Sequence, residues 1–244
     1  MHHVKSLLAR ALNVRPLLLA GGVLGVVYYG WSAGGPSAAE QPRVVPPPVV
    51  ATRDRSKIQT AVFAGGCFWG TQGIFQHVNG VLSATAGYAG GSAETAVYEL
   101  TETGSTGHAE AVRIVFDASK VSFGTLMQVF FSVAHDPTQL NRQGADVGPQ
   151  YRSTVFPQTK EQANVASAYI RQLDQSHAFS SPIATTVEAG KTFYKAEDYH
   201  QDYLVNNPTQ PYIAFVEQPK VDALQRLFHS VWREEPLLEA GRRG

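Results

Sequence analysis

The chain has 244 residues, a hydrophobic fraction of 43% and a formal net charge of zero. That length allows one large domain or two small ones, and the composition is that of an ordinary globular protein. Residues 1–39 carry Lys5, Arg10 and Arg15 and no acid, leaving 17 basic against 20 acidic residues beyond them; a mildly acidic body without a basic cluster lacks the electrostatic footprint of nucleic-acid binding.

Three spaced cations precede the uncharged run Leu17–Trp31, and Ser37-Ala38-Ala39 supplies small residues for a signal peptidase. Residues 1–39 are therefore expected to be an export signal or, uncleaved, a membrane anchor, and the body exported, periplasmic or tethered facing the periplasm. An organellar presequence is the alternative that an acid-free, arginine-bearing segment raises, but such presequences are amphipathic rather than uniformly apolar. Residues 40–57 contain Pro42, Pro46, Pro47 and Pro48 and are expected to form a stiff, extended linker that packs no core.

Beyond the linker, two periodicities alternate. Gln59–Ala64 reads as a strand, Phe68–Val78 as a helix, Val81–Tyr88 as a strand ending at Ala89-Gly90-Gly91, and Ala109–Phe116 as another strand. Ser122 opens a helix whose Phe123, Leu126, Met127, Phe130 and Phe131 recur at core spacing. Ser153–Phe156 is a short strand stopped by Pro157, Thr159 caps a helix from Lys160 to about Ser176, and Ile183–Glu188 is β-branched and extended. Strands and helices thus interleave around one sheet, and a single α/β domain over 58–220 with a tail at 221–244 fits better than two domains.

Cys67 is the only cysteine, so neither an intramolecular disulfide nor a Cys-x-x-Cys pair exists. It lies in Gly66-Cys67-Phe68-Trp69-Gly70, where the first strand turns into the first helix. Unpaired helical N–H groups at such a turn would stabilise a thiolate and lower the thiol pKa. The plain alternative is a small buried hydrophobe. Glu110 enters a strand-like run and is either a solvated strand carboxylate or a general acid held partly dry. His135-Asp136 and His200 could suggest a metal site or a Cys-His pair, but neither histidine has an i, i+4 histidine partner.

The chain resembles the A-type peptide methionine sulfoxide reductases. Gly66–Gly70 matches that family's signature. The blocks Thr106–Val112, His135–Thr138, Asn141–Ser153 and Ala196–Leu204 follow in the family's order. The resemblance implies a ferredoxin-like α/β sandwich with a mixed sheet and an extended C-terminal segment. It implies reduction of methionine S-sulfoxide through a sulfenic acid on Cys67, with Glu110 as proton donor and Tyr98 and Tyr151 as hydroxyls for the substrate oxygen. Phe68 and Trp69 would form the wall for the substrate methyl, and Asp146 would help hold the substrate. No metal and no cofactor are implied. The partners implied are oxidised proteins or peptides and an external thiol: glutathione, a glutaredoxin or a thioredoxin-like protein. Relatives often carry a second, resolving cysteine in Gln-Pro-Tyr-Cys, where this chain has Gln210-Pro211-Tyr212-Ile213, and often glutamate where it has Gln72. A thiol peroxidase, a Cys-His hydrolase and a binding module with an inert thiol are the competing readings of the same cysteine.

Overall fold

In the computed structural model, residues 41–53 and 56–239 are described, and the expected signal or anchor at 1–39 lies outside them. The apolar alternation after Lys57 becomes β1 (Ile58–Ala64), which turns through glycines into α1 (Phe68–Gln76). β2 (Val81–Ala89), the one-turn α2 (Tyr98–Thr101) and β3 (Ala109–Asp117) follow. Next come α3 (Phe123–Val129), running on as a π-helical turn at Phe130–Ala134, and the short strands β4 (Arg142–Gln143), β5 (Asp146–Val147) and β6 (Thr154–Val155). The chain continues through α4 (Lys160–Gln175), β7 (Thr186–Val187), β8 (Phe193–Lys195) and α5 (Tyr203–Asn206). A second π-helical turn at Ile213–Glu217 leads into α6 (Gln218–Leu227). The hydroxyls of Ser122 and Thr159 cap α3 and α4 as expected, accepting from the N–H groups of Thr125 and Gln162.

Six strands form one sheet in the order β7-β6-β1-β3-β2-β8. Its centre, β6-β1-β3-β2, is antiparallel throughout and is the ferredoxin-like order expected; the parallel β6–β7 pair makes the sheet mixed. Phe63 of β1 meets Phe75 of α1 at 5.6 Å and Phe130 at the end of α3 at 4.9 Å between ring centroids. Both helices therefore lie on one face of the sheet, each fully buried aromatic contributing roughly 1.5–3 kcal/mol. The β2–β3 register sets Tyr88 opposite Glu110. This brings Glu110 to the end of the sheet where β1 delivers Cys67.

Two flanking segments depart from expectation. The proline-rich stretch does not hang free: Val45 is buried, and its N–H donates to Ser132 Oγ at 3.1 Å. Prolines have no N–H, so at Pro46 and Pro47 the stretch binds through carbonyls. Gln128 donates to Val45 O (2.8 Å), Tyr169 to Pro46 O (2.6 Å) and Gln172 to Pro47 O (2.9 Å). The expected tail is likewise part of the body. Val221, Ala223 and Leu224 of α6 are buried, and the Trp232 ring stacks on His77 at 4.5 Å.

Candidate active site

Gly66 makes the turn between β1 and α1 with φ +85°, a conformation that favours glycine. The turn leaves Cys67 at the N-cap of α1, 8% exposed, at the base of a cavity of about 160 Å³. Trp69, Tyr98, Glu110, Asp146, Tyr151 and Tyr212 complete the lining. Six of the seven residues expected at the site are thus brought together from five stretches of chain. The seventh, Phe68, is 1% exposed and lies one layer deeper, against Tyr88 (5.8 Å) and His200 (5.0 Å). Its ring backs the wall that Trp69 forms instead of lining the cavity.

The helix terminus does not act on the thiol as expected. The Phe68 N–H donates to Glu110 Oε2 at 2.9 Å, so the first helical donor serves the carboxyl. Burial, then the Glu110 and Glu217 carboxylates, push the Cys67 thiol well above its ordinary range, outweighing the Trp69 N–H and Lys220. The resting sulfur is a thiol, not a thiolate. Glu110 is raised well above the usual carboxylate range by burial, helped by Glu102, Asp146 and Glu217, against the lowering bond from Phe68. Burial thus favours its protonated, neutral form. With Oε2 already accepting from Phe68, that proton is assigned to Oε1.

The tyrosines surround this carboxyl with neutral hydroxyls. Burial and the carboxylates of Glu102 and Glu110 raise Tyr98 to about 12, so its phenol stays protonated. Its ring packs on His200 at 4.7 Å, and Glu197 accepts from its N–H at 3.0 Å while also accepting from the Tyr88 hydroxyl at 2.8 Å. Tyr151 is also raised, chiefly by burial, and donates to both oxygens of Glu102 (3.2 and 3.1 Å). Trp69 is fixed by stacking on Tyr203 at 3.8 Å and by donating from Nε1 to His200 Nδ1 at 3.1 Å. That bond makes Nδ1 an acceptor and leaves the imidazole proton on Nε2, so His200 positions Trp69. His135 is partly exposed, lowered to about 3 by desolvation, and bonded through Nε2 to Ser153 Oγ at 2.7 Å. Among the described residues no group of three or more His, Cys, Asp or Glu side chains is disposed to hold a metal ion.

This assembly pairs a soft nucleophile with a carboxylic acid that keeps its proton, between an aromatic wall and phenols. A polarised oxygen bonded to an electrophilic sulfur is the group it suits. Residues 59–232 match the family model for peptide methionine sulfoxide reductase. The chain belongs to this family. The reductase named MsrA 2 of Mesorhizobium japonicum is 57% identical over 180 residues, covering 74% of this chain and 92% of that one. The MsrA of Deinococcus radiodurans is 49% identical over 170 residues, covering 70% and 82%. Among solved structures, Mxr1 from Saccharomyces cerevisiae in reduced form superposes with a TM-score of 0.57 at 30% identity, covering 66% of this chain and 92% of that one. Methionine sulfoxide reductase A of Corynebacterium diphtheriae also gives 0.57, at 34% identity, covering 65% and 79%. The protein is a methionine sulfoxide reductase, an oxidoreductase.

Tyr212 and Glu217 are the site residues that sequence reasoning missed. Tyr212 bonds Asp146 and donates to Glu217 at 2.9 Å, and Lys220 closes on Glu217 at 2.9 Å. Glu217 is fully buried because Gly70 leaves it room: a Cβ at Gly70 would sit 1.6 Å from Glu217 Oε2. The last glycine of Gly66–Gly70 was the available signal, since it marks a close approach whose partner lies far along the chain. Ile213, at the position of the relatives' resolving cysteine, is fully buried in the core.

Proposed function

We propose that this reductase acts on methionine S-sulfoxide in peptides and proteins, and as the free amino acid, through Cys67 alone. Glu110 gives its proton to the sulfoxide oxygen as the Cys67 sulfur attacks the substrate sulfur, with Tyr98 donating to the oxygen and Tyr151 turning its hydroxyl from Glu102 towards it. Trp69, backed by Phe68, receives the methyl, and Asp146 holds the far side of the substrate. Oxygen passes to Cys67, which becomes a sulfenic acid as methionine leaves; the substrate sulfur is reduced by two electrons and the enzyme sulfur oxidised by two. An external thiol then displaces water to give a mixed disulfide, and a second thiol releases Cys67 and a disulfide. Glutathione, a glutaredoxin or a thioredoxin-like protein supplies these electrons. The observation that carries the reading is the buried Glu110, held by the Phe68 N–H and lining one cavity with the only cysteine of the chain.

The raised thiol pKa supports this order of events. A resting thiol is a weak nucleophile, but protonating the sulfoxide oxygen makes the substrate sulfur more electrophilic and turns Glu110 into the base that takes up the thiol proton. Single turnover without reductant should yield one methionine per enzyme and add one oxygen to Cys67 by mass spectrometry, trapped by dimedone. Release of methionine with no oxygen, adduct or disulfide-linked dimer on the enzyme would remove the scheme. From residues 1–39 we further propose an exported, periplasmic or membrane-tethered enzyme that repairs oxidised proteins there; recovery of the full-length chain in the cytosol would argue against it.

A further inference from the structure

Beside the catalytic cavity lies a larger groove of about 350 Å³, within the roughly 300–1,000 Å³ of ligand sites. Asp146 lines both. One wall is the second π-helical turn and the start of α6, with Phe215, Val216 and Pro219; the other is the docked proline-rich strap and the loop after α4, with Pro42 and Phe179. The first π-helical turn forms the floor. Two π turns at one groove are notable, since such bulges are uncommon and frequent at functional sites. The strap itself lies outside residues 59–232.

The charged groups of this groove are already satisfied. Arg43 donates to Ala178 O and lies over the Phe179 ring at 4.9 Å. Asp136 accepts from Thr138 and Gln139, and Glu217 from Lys220 and Tyr212. What remains for a ligand is apolar, and Phe215 is 81% exposed to water in the free protein. An exposed apolar patch rimmed by satisfied polar groups marks a binding surface.

We infer that this groove binds the apolar residues flanking methionine sulfoxide in a polypeptide substrate, so that the enzyme favours oxidised segments from protein interiors. The inference rests on the function proposed above, because the groove is argued as an extension of the substrate cavity across Asp146. Methionine is a core residue, and its oxidation places a polar group among apolar neighbours and disrupts the packing. A chain loosened in this way presents the sulfoxide together with apolar side chains. Asp146, common to both cavities, is where the chain flanking a sulfoxide seated at Cys67 would pass into the groove.

The test compares three substrates on the full chain with dithiothreitol as reductant, so that no protein reductant docks: N-acetylmethionine sulfoxide amide, a peptide with Leu and Phe around the sulfoxide, and the same peptide with Ser and Gly. Wild type should show kcat/KM about tenfold higher for the apolar peptide than for the polar one. Phe215→Glu on one wall and Pro42→Glu on the other should each bring the two peptides within twofold, chiefly through KM, and leave the small amide within twofold of wild type. Equal peptides in wild type, or a preference that survives both variants, overturns the groove. So does a variant that loses all three substrates alike, which would place the effect in the catalytic cavity. Raised peptide turnover in a variant, or its conversion from dimer to monomer in sedimentation, would assign the groove to another segment of this chain or to a second copy, against the proposal. Failure of wild type on all three would defeat the functional reading itself, with the groove's basis.

Discussion

Cys67 and Gln72 lie five residues apart at the start of one helix, both buried, and their surroundings are opposite. Gln72 uses both its donors and one acceptor site to tie α1 to its neighbours: its nitrogen donates to Ala84 O (2.8 Å) and Gln201 Oε1 (3.0 Å), and its oxygen accepts from the Asp202 N–H (2.9 Å). Gln201 in turn accepts from and donates to Ala86, both at 3.0 Å. At the Cys67 end the groups are ionisable, and burial pushes both the thiol and the Glu110 carboxyl away from their charged forms. A satisfied amide network stabilises the fold and fixes α1; a buried acid kept from ionising destabilises the fold at neutral pH but holds a transferable proton. The same burial therefore serves structure at one turn of the helix and chemistry at the next.

Replacing Cys67 by Ser is the largest break of that contrast. The hydroxyl is a far poorer nucleophile, so turnover should fall below detection while thermal unfolding stays cooperative; measurable reduction by the variant would take Cys67 out of the reaction. Glu110→Gln comes next, since it keeps the bond from Phe68 but has no carboxylic proton to give. General acid catalysis is worth about 10²–10⁴-fold, and the single-turnover rate of methionine release should drop by that order. A rate within twofold of wild type would assign the proton to another group, with Tyr98 the first to examine by Tyr98→Phe.

Gln72→Leu probes the other end. It strips partners from Ala84 O, Gln201 and the Asp202 N–H, all buried, and each such group left unsatisfied costs about 1–3 kcal/mol. Denaturant unfolding should show a loss of about 2 kcal/mol or more, while the folded fraction keeps a catalytic rate within a fewfold of wild type. A variant as stable as wild type but inactive would move Gln72 from the scaffold to the chemistry. A glutamate in this position could not donate to both Ala84 O and Gln201 Oε1, so the amide is matched to its local acceptors.

Much of this contrast was legible in the chain, but unevenly. The β1–α1 turn around Cys67, the caps Ser122 and Thr159 and the aromatic spacing of α3 are local signals, and local signals survive folding. The direction of the Cys67 shift was not legible. Local reasoning supplied the helix donors but not the depth of burial that sets the direction, nor Glu217, which arrives from 150 residues away through the gap at Gly70. Tyr212 was hidden for the same reason. The docked strap was missed because prolines suggest an unpaired backbone, whereas the carbonyls of Val45, Pro46 and Pro47 accept bonds from Gln128, Tyr169 and Gln172. β4, β5 and β7 have two residues each, too few for a periodicity.

The smallest expected effect separates the two ends most cleanly, because it is a difference in slope. The folded pKa of Glu110 lies above its ordinary value of 4.5. Below that value the carboxyl is neutral in both folded and unfolded chains, and ionisation adds nothing to the balance. Above it the unfolded carboxyl releases its proton while the folded one retains it, so rising pH favours unfolding by up to about 1.4 kcal/mol per pH unit until the folded pKa is passed. Glu110→Gln removes this term. Its stability relative to wild type should therefore grow as pH rises from mildly acidic to neutral and vanish at acidic pH, while the deficit of Gln72→Leu stays constant across the same range. Unfolding curves for the three proteins at several pH values would read both slopes. A Glu110→Gln difference that does not change with pH would mean that Glu110 ionises as readily in the folded protein as in the unfolded one, and the proton would have to come from elsewhere.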